Sequence, residues 1–534
     1  YISYYYNYYF IFFFIFFIFI LLILFFFFFF FCVFFKTNIK ILPPRAAPGR
    51  TGTSFDHGWT HVPGRDPARS LAAVILAAGQ GKRLRSKLPK VLHPVCGRPS
   101  LWHVVRAAGA AQPDRIAIVV GVGRERVEEA VRSWGLSPEP VFVEQPEPLG
   151  TGHAALVAEP AVGPAEDVLV LAGDDPLIGP EHVRALLRVH RRTRAAASVI
   201  VTEVEDPSGY GRVLRDGHRL IGIVEERDAT PEERRIREIS TCAYAFRRED
   251  LYAALPHGGR ENVQGEFDLP DVLGILLAKG ERVSAVPADL GGWAGVNSRA
   301  SAAEAARLLR RRINAGHLAR GVTLVDPERT YIDVEVRIGR DTVVHPMTFL
   351  EGATRIGKDC VIGPATRIRD SVVGEGAEVS FSVVSGARLG PRVRVGPYSH
   401  VRPGTVIMEG AKIGSFVEVK NARIGRGAKV PHLAYVGDAT VGARANLGAG
   451  TVTVNYDGYA KHRTVIGEDA RVGSDTMLVA PVRVGRGAVT GAGSVITKDV
   501  PAGALAVERA EQRIVPGYRA RKDAEHARRT SGGA

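Results

Sequence analysis

The sequence predicts two unlike folds in one chain, an α/β doubly wound domain followed by a parallel β-helix. Between residues 71 and 297, apolar runs that suit buried strands alternate with amphipathic runs that suit helices, as in DVLVLAGDDPL followed by EHVRALLRVHRR. Further on, an aliphatic residue recurs every six positions: Ile338, Val344, Leu350, Ile356, Ile362 and Ile368. The register resumes at Leu389, Val395 and Val401, at Ile424, Val430 and Val436, and at Ile466, Val472, Leu478 and Val484. One aliphatic residue per six, often followed by glycine, is the pattern of triangular coils that stack their interior ladders. The stretch 298–320 between the halves has strong helix formers, no proline and a glycine near its end, and reads as a linker helix.

The 534 residues leave room for two or three cores. Cys32, Cys96, Cys242 and Cys360 are far apart with no metal-ligand spacing, so neither a zinc site nor a disulfide framework is indicated, and a reducing cytoplasm fits. The formal net charge of +14 comes without any nucleic-acid recognition pattern. It is assigned to solvated arginine faces, basic tails and sites for phosphorylated substrates, with no nucleic-acid partner.

Residues 1–35 carry no charged side chain and are dominated by Phe, Tyr and Ile. Their length suits a membrane span. They begin with Tyr1 rather than Met, lack a secretory cleavage pattern and use an AT-rich vocabulary unlike the remainder. Two readings stand: translated non-coding or misjoined DNA, or a membrane anchor, with membrane contact expected only if the segment exists in the natural protein. Residues 36–70, rich in Pro, Gly and Arg, read as a disordered linker.

The first strand, Leu71 to Leu76, opens LAAVILAAGQGKRLRSKLPK. Small residues from Ala77 to Gly81 let backbone N–H groups approach a ligand, and Lys82, Arg83, Arg85, Lys87 and Lys90 add positive charge. The string suits an anion; on glycine spacing alone an ordinary strand-to-helix turn competes with it. Asp174 follows another buried strand, where a carboxylate can hold Mg²⁺ against a triphosphate or simply cap a turn; Asp175 is adjacent. Gly150 to Ala154, GTGHA, offers close backbone approach and a hydroxyl.

In the second half, His432 lies among Glu418, Lys420, Arg402, Tyr435 and Asn446. With roughly eighteen residues per coil, 402, 420 and 435 fall on nearly one corner. Arg, Lys and Tyr stacked so suit a phosphate, and His with Glu beside it suits general base work. Gly448 to Thr464 breaks the period and reads as a projecting loop, and residues 511–534 read as a disordered basic tail.

The strings LAAGQGKRL, LPKVLH, EQPEPLGTGHA, AGDDPL, DPSGYGR, GIVEERDAT, QGEFDLPD, GVNSR, RPGTVIMEGAKIGSFVEVKNARIG, HLAYVGDATVGARANLGAGTVTVNYDG, VGSDTMLVAPV and TKDVPAGALAVERA, in this order, resemble one bacterial family. Its members are bifunctional N-acetylglucosamine-1-phosphate uridyltransferases and glucosamine-1-phosphate N-acetyltransferases. The resemblance implies a Rossmann-like nucleotidyltransferase domain over 71–297 and a left-handed β-helix of hexapeptide repeats over 321–510. It implies that Leu76, Ala77, Ala78, Gly79, Lys90, Gln145, Gly150, Thr151, Asp174, Gly211, Glu225, Ser240 and Asn297 bind UTP and the nucleotide sugar. Asp174 and Asn297 would hold Mg²⁺, while Arg83 and Lys90 act on the phosphates. Arg402, Lys420, Tyr435, Asn446 and Lys461 would bind the sugar phosphate, with His432 as base and Glu418 as its partner. Ala449, Asn455, Tyr456, Ser474, Ala492 and Arg509 would contact acetyl-CoA in a homotrimer.

The implied product is UDP-N-acetylglucosamine, a cell-wall precursor, made from glucosamine-1-phosphate, acetyl-CoA and UTP through N-acetylglucosamine-1-phosphate. Ser240 stands where the family usually has Asn and Ala172 where Tyr is common, and residues 1–65 have no counterpart. The alternatives are a single-activity sugar-1-phosphate nucleotidyltransferase with a structural or regulatory β-helix, and a membrane-tethered scaffold.

Overall fold

The computed structural model describes residues 69–258 and 267–531. The aromatic segment 1–35, and the linker 36–70 except for its last two residues, lie outside the described residues. Among the described residues, no helix is long and apolar enough to cross a membrane.

The first half is a mixed sheet. Its strands are β1 (Leu71–Leu76), β2 (Arg115–Val120), β3 (Val141–Glu144), β4 (Asp167–Ala172), β5 (Ala197–Glu203), β6 (Arg212–Asp216), β7 (Arg219–Val224), β8 (Glu238–Arg247) and β9 (Val283–Pro287). They lie in the order β9-β5-β8-β4-β1-β2-β3, with β6 pairing β8 and β7 off this path. Strand β1 is parallel to both β2 and β4, whereas β8 runs antiparallel to β4 and β5. Apolar residues of β1 and β4 are buried on both faces because helices cover both sides, as their unbroken apolar runs require. The chain runs from β1 to β2 and β3 on one side, then returns to β4 on the other. The loops after β1 and β4 therefore open into one crevice at a topological switch point.

A 21-residue helix, Arg299–Ala319, follows, capped by the Ser298 side chain accepting from the Ser301 N–H. It is more than a connector. Ala305, Leu308 and Leu309 belong to the first half's core, and Arg312 donates to the Leu177 and Leu290 carbonyls. Farther along, Asn314 donates to the Pro327 and Thr330 carbonyls at the start of the second half.

The second half is a left-handed β-helix with three parallel sheets as its faces. Face one runs from Thr323–Leu324 to Leu505–Ala506, face two from Thr330–Ile332 to Val495–Ile496, and face three from Arg337–Ile338 to Val482–Val484. Every aliphatic residue of the six-residue register is buried in one continuous core. Coil length varies: His400 pairs with Glu418, eighteen residues on, but Glu418 pairs with Tyr435, seventeen on.

Two expectations for this half need correction. The break at Gly448–Thr464 is smaller than expected, because Val452–Val454 keeps its place in face two and only residues 455–463 leave the coil. Thr453 fills the interior position there, its hydroxyl accepting from the Gly437 N–H at 2.8 Å and donating to the Gly437 carbonyl at 3.0 Å. The tail expected to be disordered carries an exposed helix, Tyr518–Ser531. Its sequence has neither proline nor glycine, and the pairs Arg519–Asp523 and Lys522–Glu525 have helical spacing.

Candidate active sites

A cavity of about 580 Å³ fills the crevice of the first half. Its floor is the loop after β1. Gly81 turns that loop with φ 62°, and a Cβ there would sit 2.7 Å from the Lys90 Cβ. Lys90 is thereby brought to the centre of the site, its Nζ 2.6 Å from Asp174 Oδ2 and 2.7 Å from Asn297 Oδ1. Arg83 donates to the same Asn297 oxygen at 3.1 Å. Asn297 is placed from the opposite side: the Val296 N–H donates to the Asp174 carbonyl at 2.9 Å, and Ser301 Oγ accepts from the Asn297 N–H.

The Asp174 carboxylate and the Asn297 amide oxygen converge on one point, now held by an ammonium group. Two hard oxygens open to solvent on one side fit Mg²⁺, which prefers one or two protein oxygens completed by phosphate and water. Lys90 acts as the stand-in cation. Asp175 is buried, and desolvation beside the Asp174 carboxylate pushes it well above the ordinary carboxylate range.

On the other wall, Gly150 has φ 104°, and a Cβ there would collide with the Phe267 carbonyl. The Thr151 hydroxyl donates to Asp268 Oδ1 at 2.9 Å and accepts from the Leu269 N–H at 2.9 Å. Gln145 donates to the Gly150 carbonyl at 3.1 Å. Leu76, Ala78, Gly79, Gln145, Gly150 and Thr151 all line the cavity; Ala77 is buried behind it, its N–H on the Val119 carbonyl. Gly211, Glu225 and Ser240 form a neighbouring group. The Ser240 N–H donates to the Gly211 carbonyl at 3.0 Å, and the Ser240 hydroxyl lies 3.2 Å from that of Tyr244, which lines the cavity. Burial, reinforced by Asp268 and Asp271, pushes Glu225 up to about 7. Asp268, Arg227 and Tyr244 are cavity residues that the sequence reading did not single out. The FDLPD string was the available signal for Asp268.

The second half gathers its residues along face two and its edges. Arg402 and Lys420 are in register, the Arg402 N–H donating to the Val419 carbonyl. Tyr435 is not on their corner: the seventeen-residue coil sets it opposite Glu418 and sets Gly437 opposite Lys420. Its phenol leans across to the position a Cβ of Gly437 would fill. Glu418 is bound to Arg402 at 2.6 Å rather than to His432.

At the far corner, Asp438 accepts from Asn421 and from Asn455, each at 2.6 Å. Lys461 lies against Lys420 there and pushes its amine below the ordinary lysine value. Asp438 and Asn421 were not foreseen. Asn455, expected on acetyl-CoA, is buried inside this cluster and reaches the Tyr435 hydroxyl at 3.4 Å.

His432 ends its face-one strand at the opposite corner and is exposed. Below it, the Gly450 N–H donates to the Leu433 carbonyl, Asp475 to Ala449, and Gly493 to Ser474. His432, Ala449, Ser474 and Ala492 therefore stack along one edge of the helix, and Arg509 Cδ lies 3.9 Å from the Cβ position of Gly493. Tyr456 is outside this column on the 455–463 excursion, and Asn446 is on face one between Lys429 and Arg471.

Comparison with known proteins agrees with this two-part organisation. Residues 73–250 match the MobA-like NTP transferase domain, and residues 386–421 and 463–498 match the bacterial transferase hexapeptide family. A protein named Bifunctional protein GlmU from Listeria welshimeri is 47% identical over 443 residues, covering 82% of this chain and 96% of the relative. Proteins of that name from Streptomyces coelicolor and Desulfitobacterium hafniense are 48% and 45% identical, covering 85% and 84% of this chain and 95% and 98% of their own lengths.

Proposed function

The chain belongs to the GlmU family of bifunctional proteins, and we propose that its two activities divide along the two halves of the fold. It makes UDP-N-acetylglucosamine by acetyl transfer to glucosamine-1-phosphate followed by uridyl transfer to N-acetylglucosamine-1-phosphate. The observation that carries the division is the presence of two separate anion cradles: Lys90 and Arg83 at Asn297 in the first half, and Lys420 against Lys461 in the second.

In the β-helix, Lys420, Lys461 and Arg402 bind the phosphate of glucosamine-1-phosphate. His432 of the neighbouring copy, carried on that copy's face one, takes a proton from the amine, which attacks the thioester carbonyl of acetyl-CoA, and the coenzyme thiolate leaves. Glu418 neutralises Arg402 and faces Tyr435, so its role is to shape this pocket. Ala449, Ser474 and Ala492 leave the edge below His432 free of bulk, as an extended pantetheine arm needs, with Arg509 at its end for the coenzyme phosphates. Asn455 and Tyr456 close the side of the pocket.

In the first half, the Gly79 loop and Gln145 receive the nucleotide, and Thr151, Gly211, Glu225 and Ser240 receive the sugar. A phosphate oxygen of N-acetylglucosamine-1-phosphate attacks the α-phosphorus of UTP in line, and pyrophosphate leaves. Mg²⁺ held by Asp174 and Asn297 would neutralise charge on the triphosphate. Lys90 then moves to the phosphates it is already placed to meet, and Arg83 spans the same oxygens.

The assembly in this reading is a homotrimer in the cytoplasm, where UTP and acetyl-CoA are found. Asn446 is exposed on face one while the Lys420 cluster sits at the far end of face two, which supports a reading in which a second copy brings its Asn446 to the sugar phosphate. An exposed ridge of Phe381, Tyr398, Phe416 and Leu433, between 40% and 62% exposed, runs along the edge between these faces and suits a neighbouring copy.

Incubation with glucosamine-1-phosphate, acetyl-CoA, UTP and Mg²⁺ should consume acetyl-CoA and yield UDP-N-acetylglucosamine. N-acetylglucosamine-1-phosphate should support the second step without acetyl-CoA. A chain that accepts only the acetylated sugar phosphate is a single-activity nucleotidyltransferase.

A further inference from the structure

The excursion 455–463 is a small hairpin. Tyr456 and Lys461 form an antiparallel bridge, and the His462 N–H donates to the Asn455 carbonyl at 2.8 Å. The Asp457 carboxylate is its hub. One oxygen accepts from the Tyr459 and Ala460 N–H groups at 2.8 and 2.7 Å, and the other meets His462 Nε2 at 2.7 Å. The base of the hairpin is fixed by buried Asn455 on Asp438, and its return leg by Arg463 donating to Thr440.

Lys461 and His462 are successive residues on the returning strand, so their side chains leave opposite faces. Lys461 must be held against another ammonium group, that of Lys420, at a place where Asp438 offsets the repulsion. A short exposed hairpin with a single bridge does not do this by itself. The clamp between Asp457 and His462 closes the face of the hairpin opposite Lys461.

We propose that Asp457 and His462 are a positioning pair that holds Lys461 beside Lys420 and so builds the phosphate half of the second site before any ligand arrives. This rests on the reading of Lys420 and Lys461 as the sugar-phosphate site. Neither Asp457 nor His462 touches the reacting atoms.

In the full chain, His462→Ala should raise the KM for glucosamine-1-phosphate about tenfold, the loss of one charge-assisted hydrogen bond, with kcat and the KM for acetyl-CoA within about twofold of the parent. His462→Gln, which keeps a donor, should recover most of the loss. The second readout needs no catalysis: inorganic phosphate should protect Lys461 from acylation by an amine-directed reagent in the parent and in His462→Gln, but not in His462→Ala. Uridyl transfer reports that each variant is folded. If phosphate protects Lys461 equally in His462→Ala, the positioning role is overturned. If the parent shows protection that His462→Ala lacks, yet acetylates no glucosamine-1-phosphate, the positioning pair stands and the sugar-phosphate reading fails.

Discussion

Asp174 and Asn297 are remote in sequence, yet their oxygens meet at Lys90 Nζ, 2.6 and 2.7 Å away. Replacing Asp174 by Asn removes the one formal negative charge of that pair. Uridyl transfer at saturating Mg²⁺ should then fall by orders of magnitude while acetyl-CoA consumption with glucosamine-1-phosphate continues. In the other half, His432→Ala should lower acetyl turnover by about 10² to 10⁴, the usual worth of general base assistance, and leave uridyl transfer intact. A changed KM for glucosamine-1-phosphate at unchanged turnover would make His432 a binding residue. Glu225 gives a pH prediction. Burial raises it to about 7, so between the ordinary carboxylate range and about 7 the folded state binds more protons than the unfolded one. Stability therefore falls as pH rises through that window and levels off above it, by a few kcal/mol at most. Glu225→Gln should flatten this part of the profile in urea unfolding followed from pH 5 to 8. Asp174 was legible because it follows a predicted buried strand and His432 because of its polar neighbours on the coils, whereas Glu225 and the metal role of Asn297 entered through the family resemblance of GIVEERDAT and GVNSR. Asp268 and Asp438 lie within the strings QGEFDLPD and HLAYVGDAT, but their parts are set by tertiary contacts, to Thr151 and Asn455, that the strings alone do not record.

The elements were legible where burial imposes a period and obscure where it does not. The six-residue ladder could be read directly because its aliphatic positions fill the interior, and it slipped where a face contributes five residues, as from Ile368 to Val373 and from Val436 to Val441, and where hydrogen bonds let Thr453 stand inside. Tyr435 lies fifteen residues after Lys420, so even the short coil of seventeen leaves it two places before that corner, opposite Glu418. Antiparallel β8 was invisible because a strand buried on both faces looks the same in either direction. The helix Arg299–Ala319 looked like a linker because strong helix formers dominate its composition, but its packing makes it part of the first half. Leu308 and Leu309 alone bury side chains worth about 1.5–3 kcal/mol each. A fragment of residues 66–320 should therefore keep uridyl transfer and lack acetyl transfer. One cut at residue 300 should melt well below it and lose activity through unfolding. Equal thermal melting of the two fragments would show that the helix contributes nothing to the first core.

At the scale of the whole molecule, the question is whether one copy holds a complete acetyl-transfer site. The outward normals of two faces of a triangular helix diverge, so side chains projecting from face one and from the far end of face two cannot close on one small substrate. Asn446 and Lys420 are in that relation. In the proposed trimer a second copy would bring its own face one against this copy's face two, and cyclic closure by three copies would also cover the ridge of Phe381, Tyr398 and Phe416. The consequence is complementation between inactive variants. Lys420→Ala and Asn446→Ala should each be nearly inactive in acetyl transfer when assembled alone. In mixed assemblies formed from equal amounts, a quarter of the interfaces unite an intact Lys420 from one copy with an intact Asn446 from the next. Acetyl transfer should therefore return to about one quarter of the parent rate if the copies mix at random. Uridyl transfer should stay at the parent level throughout, and light scattering should give three times the chain mass. A mixture as inactive as its components, or an active species of single-chain mass, would place the whole site within one copy.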